Sequence, residues 1–282
     1  RLAYPIVNEY IQKAITFFQD EEQILDFEKY QLFERVIDNV FKIISAAHYP
    51  TVISLSDFSM EYSYESSIEI EAAIADKEEN PFIDFFQYFL EENEISEGDK
   101  LIGISITATS QMIPAFTLAK LLRIKYPKKK IVLGGVVSNH LAEKLTRSQS
   151  LNKYFDFLIN GEGETALLGL IKHIENGYAI ERIPNLYYKL NGQWRSNKNI
   201  CVEKIEKLPT PNYNGFPLDD YLAPKPILSI EPGRGCYYRR CTFCNQHSIH
   251  KGHFSIKRID SIFNQIRFLK KKYKSNYFNL SN

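Results

Sequence analysis

From residue 100 onward the chain alternates short apolar runs with helical stretches, and that alternation restricts what it can fold into more than any other feature. Residues 101–106 form an apolar run and 114–126 a helical stretch. Residues 131–133 read as a strand ending in Gly134 and Gly135, and 137–145 as a helix. A strand at 155–159 ends in Gly161-Glu162-Gly163-Glu164, and 165–175 is helical again. Strands separated by helices of this length imply parallel βαβ units, because parallel neighbours need a crossover to reconnect. The fold class expected is α/β, with an open, doubly wound parallel sheet over residues 100–205.

In such sheets ligands bind beyond the carboxyl ends of the strands. This chain places Ser105, Thr107, Thr109 and Ser110 after the first strand, Gly134 and Gly135 after the second, and Gly161 and Gly163 after the third. Small residues there let a ligand approach the backbone, although strand-to-helix turns also use Gly and Ser for geometry alone. Ala166 stands where a dinucleotide fingerprint would have its third glycine, which argues against a nicotinamide enzyme.

The flanks read differently. Across residues 22–47 apolar side chains recur at helical spacing, among them Ile24, Phe27, Phe33, Ile37 and Phe41. A second helix at 81–92 opens on Pro81 and carries Phe82, Phe85, Phe86 and Phe89. The acidic segment 62–80 reads as a solvated helix or loop. Residues 1–99 are therefore expected to be a helical cap or docking layer. Residues 183–200 read as a hairpin turning at Asn191-Gly192. A proline-rich linker, 206–226, marks the domain boundary. Beyond it a strand at 227–231, a helix at 261–273 and a strand at 277–280 read as the first βαβ step of a second α/β domain, 227–282.

A chain of 282 residues, 44% apolar, can bury a substantial core. Thirty-five basic against thirty-four acidic side chains leave a net charge of +1, so charge favours neither nucleic acid nor an anionic membrane as partner. No apolar run approaches the roughly 18–20 residues of a membrane span, and no signal peptide is evident, so a cytoplasmic location is expected. Arg1 at one end, and an apolar strand just before Asn282 at the other, read as cut ends. Too few residues follow the cysteines to complete a barrel, so the chain alone is expected not to turn over substrate.

Three of the four cysteines, Cys236, Cys241 and Cys244, stand as C-x4-C-x2-C within nine residues. Three thiolates so close together can reach one metal centre, and thiolates favour zinc or iron–sulfur clusters. A closed zinc site wants a fourth ligand, which His247, His250 or His253 lies near enough to offer. Against zinc, closed sites usually come as two separated ligand pairs, whereas here a strand leads directly into a packed triple. Arg234, Arg239 and Arg240 serve either the charge of such a centre or the surface. Cys201, alone in a polar stretch, reads as a free thiol.

The stretch 233–244, G-R-G-C-Y-Y-R-R-C-T-F-C, resembles the cluster loop of radical S-adenosylmethionine (SAM) enzymes, with one residue more than the usual C-x3-C-x2-C. G-I-S-I-T at 103–107, V-L-G-G at 132–135, N-G-E-G-E at 160–164, I-P-N at 183–185 and L-P-T-P at 208–211 resemble the succession in cobalamin-dependent members of that family. The resemblance covers roughly residues 100–282 and implies a cobalamin-binding domain followed by the start of a partial β/α barrel. It implies that Cys236, Cys241 and Cys244 hold a [4Fe-4S] cluster whose open iron binds SAM, with Phe243 near the adenine. Ser105, Thr107, Ser110, Gly134, Gly135, Gly161 and Gly163 would contact cobalamin. The cobalt-ligating D-x-H-x-x-G motif is absent, so cobalamin is expected to bind without a histidine lower ligand. The implied activity is methylation of an unactivated carbon of a peptide or natural product through a 5′-deoxyadenosyl radical, with an external electron donor. Two alternatives stay open: a radical SAM enzyme of another reaction type without cobalamin, and a non-catalytic zinc or iron–sulfur module.

Overall fold

The computed structural model describes residues 3–244 and 246–281. The chain opens with α1 (Ala3–Phe18), α2 (Phe27–Ala47), the short strands β1 (Val52–Ile53) and β2 (Phe58–Ser59), α3 (Ser67–Ala73) and α4 (Pro81–Glu92). Then follow β3 (Leu101–Ser105), α5 (Met112–Lys125), β4 (Lys130–Gly134), α6 (Val136–Arg147), β5 (Phe157–Ile159), α7 (Glu164–Asn176), β6 (Leu186–Leu190) and β7 (Gln193–Ser196). After an irregular stretch come β8 (Leu228–Ile230), β9 (Gly233–Arg234), α8 (Gln246–Ile249), β10 (Ser255–Ile256), α9 (Ile259–Tyr273) and β11 (Phe278–Leu280).

Local chemistry sets many of these limits. Asp26 accepts a hydrogen bond from the Lys29 amide at 3.1 Å and so caps α2 later than the apolar stripe suggests. Asn80 caps α4 with Pro81 in the first turn, where its missing N–H costs nothing. Asn191 (φ 52°) and Gly192 (φ 77°) make the left-handed pair that a two-residue hairpin turn requires between β6 and β7.

The central sheet has the order β3-β4-β5-β6-β7, the first three parallel and the hairpin antiparallel to β5. The α/β class expected from the sequence stands, with helices on both faces. The winding is more lopsided than a doubly wound sheet suggests. Because β3, β4 and β5 are consecutive neighbours, right-handed crossovers put α5 and α6 on the same face. There Ile104, Ile131, Leu133 and Leu158 pack against Phe116, Leu122, Val137 and Leu145 in the largest core. On the opposite face α7 packs through Ala166 and Leu170 against Val132, Phe157 and Ile159.

The N-terminal hundred residues divide. α1 and α2 share a small core of their own around Phe17, Phe18 and Ile37. α3 and α4 instead join the core of the sheet through Ile70, Ala73, Ile74 and Leu90. The acidic segment 62–80 is thus not simply a solvated element: Ile70, Ala73 and Ile74, at helical spacing, are at most 2% exposed. Beyond the linker β8 and β11 pair in parallel under α9, with Leu228, Ile230 and Leu269 wholly buried, which is the βαβ step expected there. Among the described residues, no helix is long and apolar enough to cross a membrane.

Candidate functional site

The site grows out of the face opposite α5 and α6. Along β3 the side chains alternate, so Ile104 is buried in the core while Gly103 and Ser105 face outward and are exposed. On β4 the matching outward positions are Val132 and Gly134. With two of the four lacking a side chain, a cavity of about 740 Å³ opens at the carboxyl ends of the strands, between Leu167 of α7 and Gln246 and Ile249 of α8. It lies in the range of small-molecule and cofactor sites. A Cβ placed on Gly134 would meet nothing within 4 Å, so the absent side chain leaves usable space.

Of the residues expected to contact cobalamin, Ser105, Gly134, Gly135, Gly161 and Gly163 line this cavity. Thr107 and Ser110 do not. The backbone N–H and the hydroxyl of Thr107 both donate to Gln111 Oε1, at 2.8 and 3.1 Å, which closes the turn after β3 away from the cavity. Gly135 has a structural duty as well: at φ 94°, its Cβ would lie 2.4 Å from the Ile106 carbonyl oxygen. Asn139 of α6, unmarked by any sequence motif, accepts from the Gly161 N–H at 3.1 Å and fixes the wall between α6 and β5. Asn185 holds the same turn from behind, donating to the carbonyls of Glu162 and Cys201, both at 2.9 Å.

The cysteine loop rises from β9. Gly235 (φ 81°) admits no other residue, since a Cβ there would sit 1.9 Å from the His253 carbonyl oxygen. Cys236, Cys241 and Cys244 are half-buried and form no disulfide. The Cys244 N–H donates to the Cys241 carbonyl at 3.4 Å, and Arg239 Nε to the Cys236 carbonyl at 3.1 Å. Backbone N–H groups of Arg239 and Tyr238 hold the Cys236 thiol below its ordinary pKa. Among the described residues no three His, Cys, Asp or Glu side chains are gathered into a metal-holding set. Of the histidines that could complete a zinc site, His250 is already engaged with Glu162, and the His247 side chain lies outside the described residues. Phe243 is 88% exposed beside the last cysteine.

Loop and cavity meet at Glu162, which no spacing in the sequence marks out from its neighbours. Its side chain is 5% exposed. Oε1 accepts from His250 Nδ1 at 2.6 Å, and Oε2 accepts from the Glu203 N–H at 2.5 Å and lies 3.3 Å from Arg234 Nη1. Arg234 also reaches Glu164 at 2.5 Å and Glu231 at 2.8 Å. Its side chain is 12% exposed, so the surface reading fails for Arg234, because three carboxylates surround it; Arg239 and Arg240 are exposed. Burial alone would push the Glu162 carboxyl up, but the hydrogen bonds from His250 and Glu203 and the charge of Arg234 hold it below the usual carboxylate range. Cys201, expected to be a plain free thiol, is half-buried beside Glu203, and burial raises its pKa.

No protein-family model matches the chain. It is 30% identical over 116 residues to 4′-phospho-dehydrooxetanocin synthase of Priestia megaterium, an alignment covering 40% of this chain and 15% of that protein. It is 28% identical over 159 residues to the anaerobic magnesium-protoporphyrin IX monomethyl ester cyclase of Synechocystis sp. (strain ATCC 27184 / PCC 6803 / Kazusa), covering 52% of this chain and 29% of that one. The chain thus spans less than a third of the length of these relatives. Its fold matches that of the cobalamin-dependent SAM radical enzyme OxsB, solved with aqua-cobalamin and SAM bound, with a TM-score of 0.53 and 21% identity over 76% of this chain and 31% of that one. At the level of fold, the resemblance read from the cysteine loop and the strand ends is borne out.

Proposed function

We propose that this chain is the cofactor-binding part of a cobalamin-dependent radical SAM enzyme that methylates an unactivated carbon of a small molecule or peptide. The observation that carries the reading is the cavity floored by Gly103, Ser105, Val132 and Gly134, whose wall is also the stem of a three-cysteine loop. A broad floor of backbone and apolar side chains suits a large flat ligand such as a corrin ring better than a small polar one. Three thiols on one loop are the donor set of a four-iron cluster with one open iron. When bound, cluster and corrinoid would supply one-electron cleavage of SAM and transfer of a methyl group, with electrons from an external donor.

The protein's own residues supply position. Cys236, Cys241 and Cys244 would hold the cluster. Phe243, exposed beside it, is free to pack on the adenine of SAM. Ser105, Gly134, Gly135, Gly161 and Gly163 would bear on the corrinoid, with Asn139 fixing the rim. Thr107 and Ser110 drop out of that set because they do not line the cavity. The expected domain division carries over as a proposal with one adjustment: α3 and α4 belong with the sheet, since their apolar faces share its core.

The test is anaerobic reconstitution with iron and sulfide, followed by titration with hydroxocobalamin. A brown four-iron chromophore that disappears in Cys241→Ala, together with corrinoid bands that survive gel filtration in both proteins, is the expected result. A colourless, zinc-containing protein would overturn the reading. Cluster without corrinoid would reduce it to a radical SAM enzyme of another type.

A further inference from the structure

The cysteine loop is tethered at both ends to one carboxylate. Arg234 lies two residues before Cys236 and His250 six residues after Cys244, and both converge on Glu162 at the end of β5. His250 is 88 residues away in sequence. The same carboxylate takes the Glu203 N–H, so it joins the sheet, the segment after the hairpin, and both stems of the loop. Between the stems the loop offers little packing of its own, with Tyr237 79% and Phe243 88% exposed. A buried ionic cluster adds little net stability over a well-packed apolar one, because desolvation offsets the attraction. What it does provide is direction: each oxygen and each N–H accepts only a narrow range of angles and distances.

We propose that Glu162 is a positioning residue that locks both stems of the cysteine loop to the cavity wall through Arg234 and His250, so that a ligand on the sheet and a cluster on the loop keep a fixed separation. The statement about the ligand and the cluster rests on the function proposed above; the locking of the loop stands on the contacts alone. Glu162→Gln keeps the size of the side chain and removes the charge that Arg234 and His250 face. His250→Ala removes one arm at a residue on the rim and serves if Glu162→Gln fails to fold.

Two measurements on the 282-residue chain test this. In the cofactor-free chain, amide hydrogen exchange over residues 233–256 should rise roughly tenfold in Glu162→Gln and less in His250→Ala, while amides of β4 and α5 keep their protection. In protein loaded with cob(II)alamin and a reduced cluster, the magnetic coupling between the two centres, seen by electron paramagnetic resonance, should weaken or spread in the variants at unchanged iron and cobalt content. Unchanged exchange over 233–256 in both variants overturns the proposal, as does unchanged coupling with both centres in place. If the parent chain binds neither cofactor, the proposed function fails, and the exchange result alone decides whether Glu162 holds the loop.

Discussion

On β3 and β4 the residues of one face, Ile104, Ile131 and Leu133, are buried beneath α5 and α6, whereas on the other face Gly103, Ser105 and Gly134 look into an open cavity. The same two strands therefore build a sealed core and a binding floor, separated by the thickness of one sheet. The difference comes from winding as much as from residue choice. Consecutive strand order places both crossovers on one side, and glycine at alternate positions keeps the other side clear. On this account the faces should respond to substitution in opposite ways.

The largest expected effect is on the sealed face. Leu133 is 1% exposed and part of the main core, so Leu133→Ala removes buried methyl groups and leaves a void, costing about 3 kcal/mol. Urea unfolding followed by circular dichroism should show the midpoint fall with little change in slope. A loss under about 1 kcal/mol would mean that this face is not the rigid one.

A smaller effect is expected at the opposite ends of the strands. There Asp156 accepts from Arg123 at 2.6 Å and from the Ile131 N–H at 3.0 Å, and lies near Lys130. Burial alone would raise its carboxyl, but these partners hold it below the ordinary range. A depressed folded-state pKa means that the stabilisation is fully present above the unfolded value, near pH 4, and is lost as pH falls through the folded value. Asp156→Asn should thus cost about 1–2 kcal/mol at pH 7, and the gap to the parent should close in acid. A gap that stays constant from pH 7 down to about pH 2 would show that the contribution is not electrostatic.

The smallest change in stability is expected on the open face. Gly134→Leu adds a Cβ that meets nothing within 4 Å and sends the rest of the side chain toward the cavity, so the stability should change by less than about 0.5 kcal/mol. Corrinoid uptake should fall steeply, while the iron content, set on another element, stays the same. Full uptake in this variant would move the ligand off the strand face and erase the contrast between the two faces.

Much of this was legible beforehand because its causes are short-range. A two-residue period announces a strand, Asn-Gly a tight turn, and Pro81 after Asn80 a helix start; each is settled by neighbours in sequence. The cysteine spacing is likewise local, which is why the loop was evident before its surroundings were. The role of segment 62–80 was not. Its acidic residues outnumber the three apolar ones that matter, and only the docking of α3 on α5 reveals which face is buried. Thr107 was placed in the site by its position after a strand, but Gln111 takes both its hydrogen bonds.

By itself, then, the sequence determined the α/β alternation, the small residues at the strand ends and the three-cysteine loop, since each follows from backbone preference or ligand chemistry within a few residues. Only the tertiary structure decided that α5 and α6 share one face, that Arg234 lies among carboxylates rather than at the surface, and that Glu162 meets His250 across 88 residues. Those outcomes depend on which distant segments exclude water from each other, and burial is a property of the packed molecule that no local pattern encodes.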